Sequence, residues 1–175
     1  SRMNNNQLRI QPVRKEQASP EIRALLDEIQ DTMGIPWPPA NWRSYAAYPK
    51  VMCLFWERLK PVTATQAFLS DALAITERAY RDASDWYEPG YLLTISEEDR
   101  QRIAWELDAF AFGNPQLLIQ QAALARVLTG EVVGRECTPE PRPPSAYRRP
   151  EIRLISEDEA PNEVKTLYQD IKQTL

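Results

Sequence analysis

The stretch SPEIRALLDEIQDTMG, residues 19–34, carries a complete set of helix signals and decides the fold class. Ser19 suits the N-cap, Pro20 suits the first helical position, and Glu21 places a negative charge near the positive end of the helix dipole. One apolar stripe follows at helical spacing: Ile22, Leu25, Leu26, Ile29 and Met33. Gly34 then stands where a left-handed C-terminal cap is expected. The pattern predicts an amphipathic helix that ends at Gly34.

Proline separates this helix from several others along the chain. Residues 35–39, IPWPP, cannot be helical, because proline lacks the N–H donor and restricts the residue before it. Ser96 and Asp99 form a variant of the capping box, and Gly113-Asn114-Pro115 is expected to break the helix that they open. The predicted helices cover residues 41–47, 49–60, 63–83, 96–112 and 115–129. Their inward residues are expected to be Val51, Leu54, Phe55, Leu59, Phe68, Leu69, Ala72, Ile75, Ala79, Ile103, Leu107 and Phe110. Residues 84–95 are predicted to form a loop, and no strand pattern occurs, so the predicted fold is all-α.

Composition excludes several classes of function. The chain of 175 residues contains no histidine, so a Ser-His-Asp or Cys-His pair and a His-ligated zinc are excluded. Cys53 and Cys137 form no CxxC motif, which argues against dithiol chemistry. The net charge is −4 with scattered basic residues, so no nucleic-acid partner is expected. No apolar run approaches the roughly 18 residues of a membrane span, and the polar N-terminus does not resemble a secretory signal, which predicts a cytoplasmic location.

An internal repeat follows a proline-rich linker. Shifting the sequence by 142 residues places 152–175 on 10–33 without a gap, with identical residues at positions 10, 18, 21, 25, 29 and 32. The alternative is that two amphipathic helices match by chance. The repeat interpretation divides the chain into a first helical repeat, 1–130, a linker, 131–151, and the first helix of a truncated second repeat, 152–175. That helix should bury Val164, Leu167 and Ile171 against another repeat, from a second copy or by folding back.

The candidate site residues each have a structural alternative. The aromatic residues Trp37, Trp42, Tyr45 and Tyr48 could line an apolar pocket, or they could pack a corner between helices. The amide of Asn114 could orient a water or a substrate oxygen, or it could cap a turn before Pro115. Asn41 has the same two interpretations at the start of its helix.

Several motifs together resemble the group I 2-haloacid dehalogenases, a family built from two tandem helical repeats. They are PEIRALLDEIQDTMGIPW (20–37), NWRSYAAYP (41–49), FWERLKP (55–61), AFAFGNPQLL (109–118) and LISEDEAPNEVKTLYQDIKQTL (154–175). The resemblance extends over about residues 10–175. The opening motif is also similar to carboxymuconolactone decarboxylases and peroxidase-partner domains, which act through a CxxC or a histidine that this sequence lacks.

The resemblance implies an active site between the two repeats. There a carboxylate activates a water that attacks C2 of a small 2-haloacid and releases halide, without a metal or cofactor. Asn114 matches an asparagine that holds the water, and Trp37 matches the pocket wall; Asn41, Trp42 and Tyr45 are the further candidates for substrate binding. The activating aspartate is expected beyond Leu175, at the repeat-mate of Asn41, so this chain alone is expected to be inactive and to need a second repeat or another copy. The alternative is a non-catalytic helical interaction module on the same scaffold.

Overall fold

Capping residues and prolines set the helix boundaries in the computed structural model, which describes residues 11–86, 95–133, 139–147 and 151–174. After a short 3-10 turn at Lys15–Gln17, the helices are α1 (Pro20–Met33), α2 (Ala40–Tyr45), α3 (Pro49–Thr63), α4 (Gln66–Trp86), α5 (Glu97–Leu128) and α6 (Asn162–Thr174). Within these described ranges there is no strand, only an isolated bridge between Thr65 and Pro141. The all-α prediction is confirmed.

Helix α1 forms as its sequence predicts. The Ser19 hydroxyl accepts a hydrogen bond from the backbone N–H of Ile22, and Gly34 caps the other end with φ of 67°. The buried stripe of α1 packs against α3 and contributes to a core that also includes Trp37, Trp42, Met52, Trp56, Leu59, Ala109, Leu117 and Leu124. This core lies between α1, α3 and α5.

The buried faces of α3 and α4 differ from the prediction. In α3 the inward residues are Met52, Trp56 and Leu59, whereas Val51 and Leu54 are exposed. Both the predicted set and the observed set of apolar residues have helical spacing. The observed set contains the large Trp56 side chain, so its burial removes more apolar area from water. Helix α4 buries Phe68, Leu69 and Ala72, but Ala79 is exposed. It also continues to Trp86 where a loop was predicted; the rest of that predicted loop, 87–94, lies outside the described residues.

The predicted break at Gly113-Asn114-Pro115 is wrong, because α5 is one helix of 32 residues that runs through it. Pro115 cannot donate to the carbonyl of Ala111, but the Thr76 hydroxyl of α4 donates to that oxygen at 2.9 Å. Gly113 lets the Trp37 ring lie directly on the helix, since a Cβ there would come within 2.2 Å of Trp37 Cη2. Contacts from other elements therefore keep the helix continuous.

The described parts of the linker are irregular, as predicted, and Arg142 joins them to the helices by hydrogen bonds. The guanidinium of Arg142 donates from Nη1 to the carbonyl of Thr63 (3.1 Å) and to Gln116 Oε1 (2.8 Å), and from Nη2 to the carbonyl of Met33 (3.0 Å). Met33 and Thr63 end α1 and α3, where the helix dipoles are negative. The linker thus places a positive charge at two helix ends.

The segment before α6 is anchored, but α6 itself does not fold back onto the helices. The backbone N–H of Ile152 donates to the carbonyl of Pro36 at 2.6 Å, and Arg14 Nη2 donates to Ser156 Oγ at 2.9 Å. Arg14 and Ser156 are repeat-mates under the shift of 142 residues. The apolar stripe of α6 is 38–56% exposed at Val164, Leu167 and Ile171. Of the two expected arrangements, burial of this stripe by folding back is wrong, and burial against a second copy stays a prediction.

Candidate functional site

Trp37 is held against the middle of α5. It lies in the extended run after Gly34 and is 3% exposed. Its ring centroid is 4.5 Å from that of Phe110, and its outer ring covers Gly113. The structure therefore brings Trp37 to the turn of α5 that contains Asn114.

Asn114 is an exposed residue in the interior of α5. The interpretation as a turn or capping asparagine is wrong, because no turn occurs there. On the same face, at spacings of three and four residues, lie half-buried Phe110 and the exposed side chains of Ile103, Leu107 and Leu118. We call residues 103, 107, 110, 114 and 118 the α5 stripe. Asn114 is the polar group within an otherwise apolar stripe.

Trp42 and Tyr45 contact α5 further along. The Trp42 Nε1–H donates to Gln120 Oε1 at 3.0 Å, and the Tyr45 hydroxyl donates to the side-chain oxygen of Gln121. Both aromatic rings are also packed edge-on, Trp42 against Trp56 (centroids 5.4 Å apart) and Tyr45 against Phe55 (5.2 Å). Burial raises the pKa of Tyr45, and its bond to Gln121 opposes that shift. These contacts match a packed corner between α2, α3 and α5.

Asn41 is the second residue of α2 and is half-buried. The N-cap position belongs to Pro39, so the interpretation of Asn41 as a helix cap is wrong. Among the described residues its side chain has no hydrogen-bond partner.

Trp37, Trp42 and Tyr45 contact α5 at Gly113, Gln120 and Gln121, over a distance of about 12 Å along the helix. Residues that sequence reasoning missed are the glutamines on this length of helix. The side-chain nitrogen of Gln121 is buried and has no hydrogen-bond partner in the described part of the chain. No local signal marks it, because its contact, Tyr45, lies 76 residues away.

No carboxylate shares the α5 stripe with Asn114. The described carboxyl groups whose pKa is clearly shifted are Glu21, Glu97, Asp158 and Glu159, and in each of them hydrogen bonds lower the pKa. All four lie at or just before helix starts, away from the stripe. Glu21 and Glu97 support the starts of α1 and α5, and Asp158 and Glu159 are held by Ser156 and Arg14, so none of the four is placed to take a proton from water near Asn114.

A separate cleft of about 660 Å³ lies between the N-terminal segment and residues 151–159. Arg14, Arg43 and Ile152 are among its lining residues, and none of the six candidate site residues lines it. No described helix is long and apolar enough to cross a membrane.

This chain belongs to the family described as halocarboxylic acid dehydrogenase DehI, whose sequence model matches residues 36–175. The family resemblance drawn from the motifs is confirmed. The chain is 28% identical to an (R)-2-haloacid dehalogenase of Pseudomonas putida, in an alignment that covers 95% of this chain and 59% of the relative. It is 26% identical to a configuration-inverting 2-haloacid dehalogenase of Pseudomonas sp. (strain 113), with 89% and 54% covered.

Solved structures agree with this assignment. The fold matches that of a D-2-haloacid dehalogenase in complex with L-LA at a TM-score of 0.87 and 25% identity, covering 94% of this chain and 60% of that one. A mutant of D-2-haloacid dehalogenase with D-2-CPA matches at a TM-score of 0.85. The chain therefore spans between 54% and 60% of the length of these relatives.

Proposed function

We propose that this chain forms one side of a 2-haloacid dehalogenase active site, which a second repeat completes. Water attacks C2 of a short 2-haloalkanoic acid, and halide leaves. The observation that carries the proposal is the position of Asn114, next in sequence to the Gly113 that Trp37 covers and within an exposed apolar stripe, in a chain of the dehalogenase family.

The α5 stripe supports a site between repeats. Side chains such as Leu107 and Leu118, 62% and 58% exposed, lose hydrophobic free energy if they stay in water. A second repeat packed on this face would cover them and enclose Asn114 in an apolar surrounding. Exclusion of water would strengthen the hydrogen bonds of the Asn114 amide to a single bound water.

The aromatic residues support a substrate pocket at the same place. Trp37 supplies an apolar wall for the halogen and the short alkyl chain, and its position on Gly113 holds it next to Asn114. Half-buried Tyr45 continues the wall along α5, with Asn41 on the same short helix, while fully buried Trp42 belongs to the packed corner that supports them.

The chemistry follows from these parts. The oxygen of a bound water forms a bond to C2 while the bond between C2 and the halogen breaks, and the second repeat's carboxylate takes the proton. The products are a 2-hydroxy acid of inverted configuration and a halide ion. Asn114 holds the water in line, and the pocket aligns C2; neither step requires a metal or a cofactor.

Halide release from 2-chloropropionate tests the proposal. A two-repeat protein that contains this chain should release chloride, and Asn114→Ala should lower kcat by about 10²–10³-fold, the usual effect of removing one oriented hydrogen bond. Gln101→Ala, an exposed amide on the same helix, is the control and should leave kcat unchanged. A single turnover in H₂¹⁸O should place the label in the product, because the water attacks C2 directly.

The 175 residues alone should release no halide, since the activating carboxylate belongs to the second repeat. Halide release by the short chain, abolished when one of its own carboxylates is replaced, would contradict this assignment of the base. A two-repeat protein that is inert on haloacids, with Asn114 dispensable, would favour the alternative of an interaction module. The exposed α5 stripe is the surface that such a module would use.

A further inference from the structure

The turn of α5 that presents Asn114 is built around a proline. Pro115 has no N–H, so the carbonyl of Ala111, four residues earlier, loses its helical donor. Proline inside a helix usually kinks or ends it for this reason. The helix nevertheless continues for another three turns to Leu128.

A side chain of α4 replaces the missing donor. The hydroxyl of Thr76 lies 2.9 Å from the carbonyl oxygen of Ala111 and 3.3 Å from that of Ala72 in its own helix. A hydroxyl has one hydrogen to donate, and the shorter distance favours Ala111. Thr166 shows the ordinary arrangement, in which a helical threonine bonds the carbonyl four residues earlier, that of Asn162. Thr76 differs because it reaches a second helix at the one carbonyl that Pro115 leaves unpaired.

Two neighbours therefore hold this turn. Thr76 fixes the carbonyl of Ala111, and Trp37 rests on Gly113, leaving no room for a Cβ. Asn114 lies between the two contacts in sequence. A change in the turn between Ala111 and Pro115 would rotate the Asn114 side chain away from its place in the α5 stripe.

We propose that Thr76 is a positioning residue: its hydroxyl replaces the missing N–H of Pro115 and fixes the direction in which Asn114 points. The inference rests on the proposed function for its catalytic consequence. The structural link between Thr76, Ala111 and Pro115 stands on the hydrogen bond alone.

A double-mutant cycle in this chain tests the link. Thr76→Val keeps the shape of the side chain and removes the hydroxyl, and should lower the folding equilibrium constant by about fivefold or more, the effect of one lost hydrogen bond. Pro115→Ala restores an N–H to Ala111, so Thr76→Val should have little further effect in that background. Thr166→Val is the matched control and should not couple to Pro115. If Thr76→Val does not fold, the same cycle is made with Thr76→Ala. Equal effects of the threonine substitution in both backgrounds would overturn the proposal.

A second readout separates positioning from simple stabilisation. In nuclear magnetic resonance spectra, Thr76→Val should shift the side-chain amide signals of Asn114, and Thr76→Ser should restore them. Unmoved Asn114 signals in a folded Thr76→Val variant would also overturn the proposal. In the two-repeat protein, Thr76→Val should lower kcat with KM nearly unchanged. If the cycle and the spectra agree but the two-repeat protein is inert, the proposed function fails while the positioning role of Thr76 in the turn is supported.

Discussion

Gln116 and Gln120 are fully buried polar residues that join α5 to its neighbours. Gln120 accepts from Trp42 and donates to the Thr63 hydroxyl at 3.0 Å, and Gln116 donates to the carbonyl of Met33 at 3.2 Å. Both lie on the buried face of α5, where the sequence pattern alone would favour apolar residues. The capping role of Ser19 was predictable because its partner is three residues away, whereas the partners of Gln120 are 57 and 78 residues away. Local spacing carries no information about such contacts.

Replacing Gln120 should therefore lower the unfolding free energy, even when the new side chain has a similar volume. Gln120→Leu fills a similar volume but leaves the Trp42 N–H buried without an acceptor, which costs about 1–3 kcal/mol of unfolding free energy. Denaturant unfolding measures this loss. Gln101→Leu, on the exposed face of the same helix, should stay within about 0.5 kcal/mol of the parent protein. Equal losses in the two variants would show that the buried bonds contribute nothing.

Replacing Gly113 by alanine should lower the stability of the protein, the opposite of the usual effect of this substitution in a helix. Glycine to alanine within an exposed helix usually stabilises by about 0.5–1 kcal/mol. Gly113→Ala should instead destabilise by about 1–3 kcal/mol or more, because the added Cβ overlaps the Trp37 ring. Thermal unfolding gives the sign, and Trp37→Leu should remove most of the penalty in the double variant. A stabilised Gly113→Ala protein would mean that Trp37 does not lie on this helix.

At the scale of the elements, the sequence predicted which segments are helices better than it predicted their faces and ends. The limits of α1 follow from Ser19, Pro20 and Gly34, which act within a few residues. The carbonyl that Pro115 leaves without a helical donor is bonded by Thr76, a residue of another helix, whereas Pro115 alone predicts a break that does not occur. Asn114 and Trp37 could be singled out by motif, but their proximity follows from this continuity and from Gly113. Tertiary contacts decide where local signals conflict.

The linker should contribute to stability through Arg142. Burial lowers the pKa of this guanidinium, and no described carboxylate pairs with it; its partners are two helix-end carbonyls and Gln116. Arg142→Met keeps the length but leaves these acceptors without their donor, and should lower the unfolding free energy by about 2 kcal/mol or more. Arg142→Lys should not restore the lost stability, since the compact lysine ammonium cannot reproduce the planar arrangement of N–H donors in the arginine guanidinium. Arg153→Met, at an exposed arginine just after the linker, is the control; a loss as large there would refute the role of Arg142.

The segment before α6 should loosen in acid. The Ser156 hydroxyl and then Arg14 hold the pKa of Asp158 below its usual range, and hydrogen bonds from Ser156 do the same for Glu159. A lowered folded pKa stabilises above the unfolded value, about 4, and that stabilisation is lost as the pH falls through the folded values. Stability measured from pH 6 to pH 3 should fall less steeply in Arg14→Gln than in the parent. Arg78→Gln is the charge control on α4, and an unchanged slope in Arg14→Gln would contradict this anchoring role.

At the scale of the whole molecule, the apolar surface is unevenly covered. Helix α1 buries its stripe against α3, while α6, which the sequence shift of 142 residues aligns with α1, buries none of its residues. The α5 stripe is exposed as well. The same amphipathic pattern thus has two outcomes within one chain, and the difference is whether a partner surface is present. The sequence predicts that an apolar stripe packs against another surface, but it does not predict which element provides that surface.

This contrast predicts a gradient of stability that hydrogen exchange can measure. Helix α6 has 13 residues and no buried side chain, and isolated helices of that length are marginal in water. Its amides should therefore exchange with less than about tenfold protection, while those of α1, the matched internal control, should approach the protection of global unfolding. In a two-repeat protein α6 should gain protection comparable to α1, because the second repeat supplies the surface that α3 supplies to α1. Protection of α6 that rises with concentration would identify a second copy as the cover. Protection equal to that of α1 in the dilute single chain would contradict the exposed position of α6.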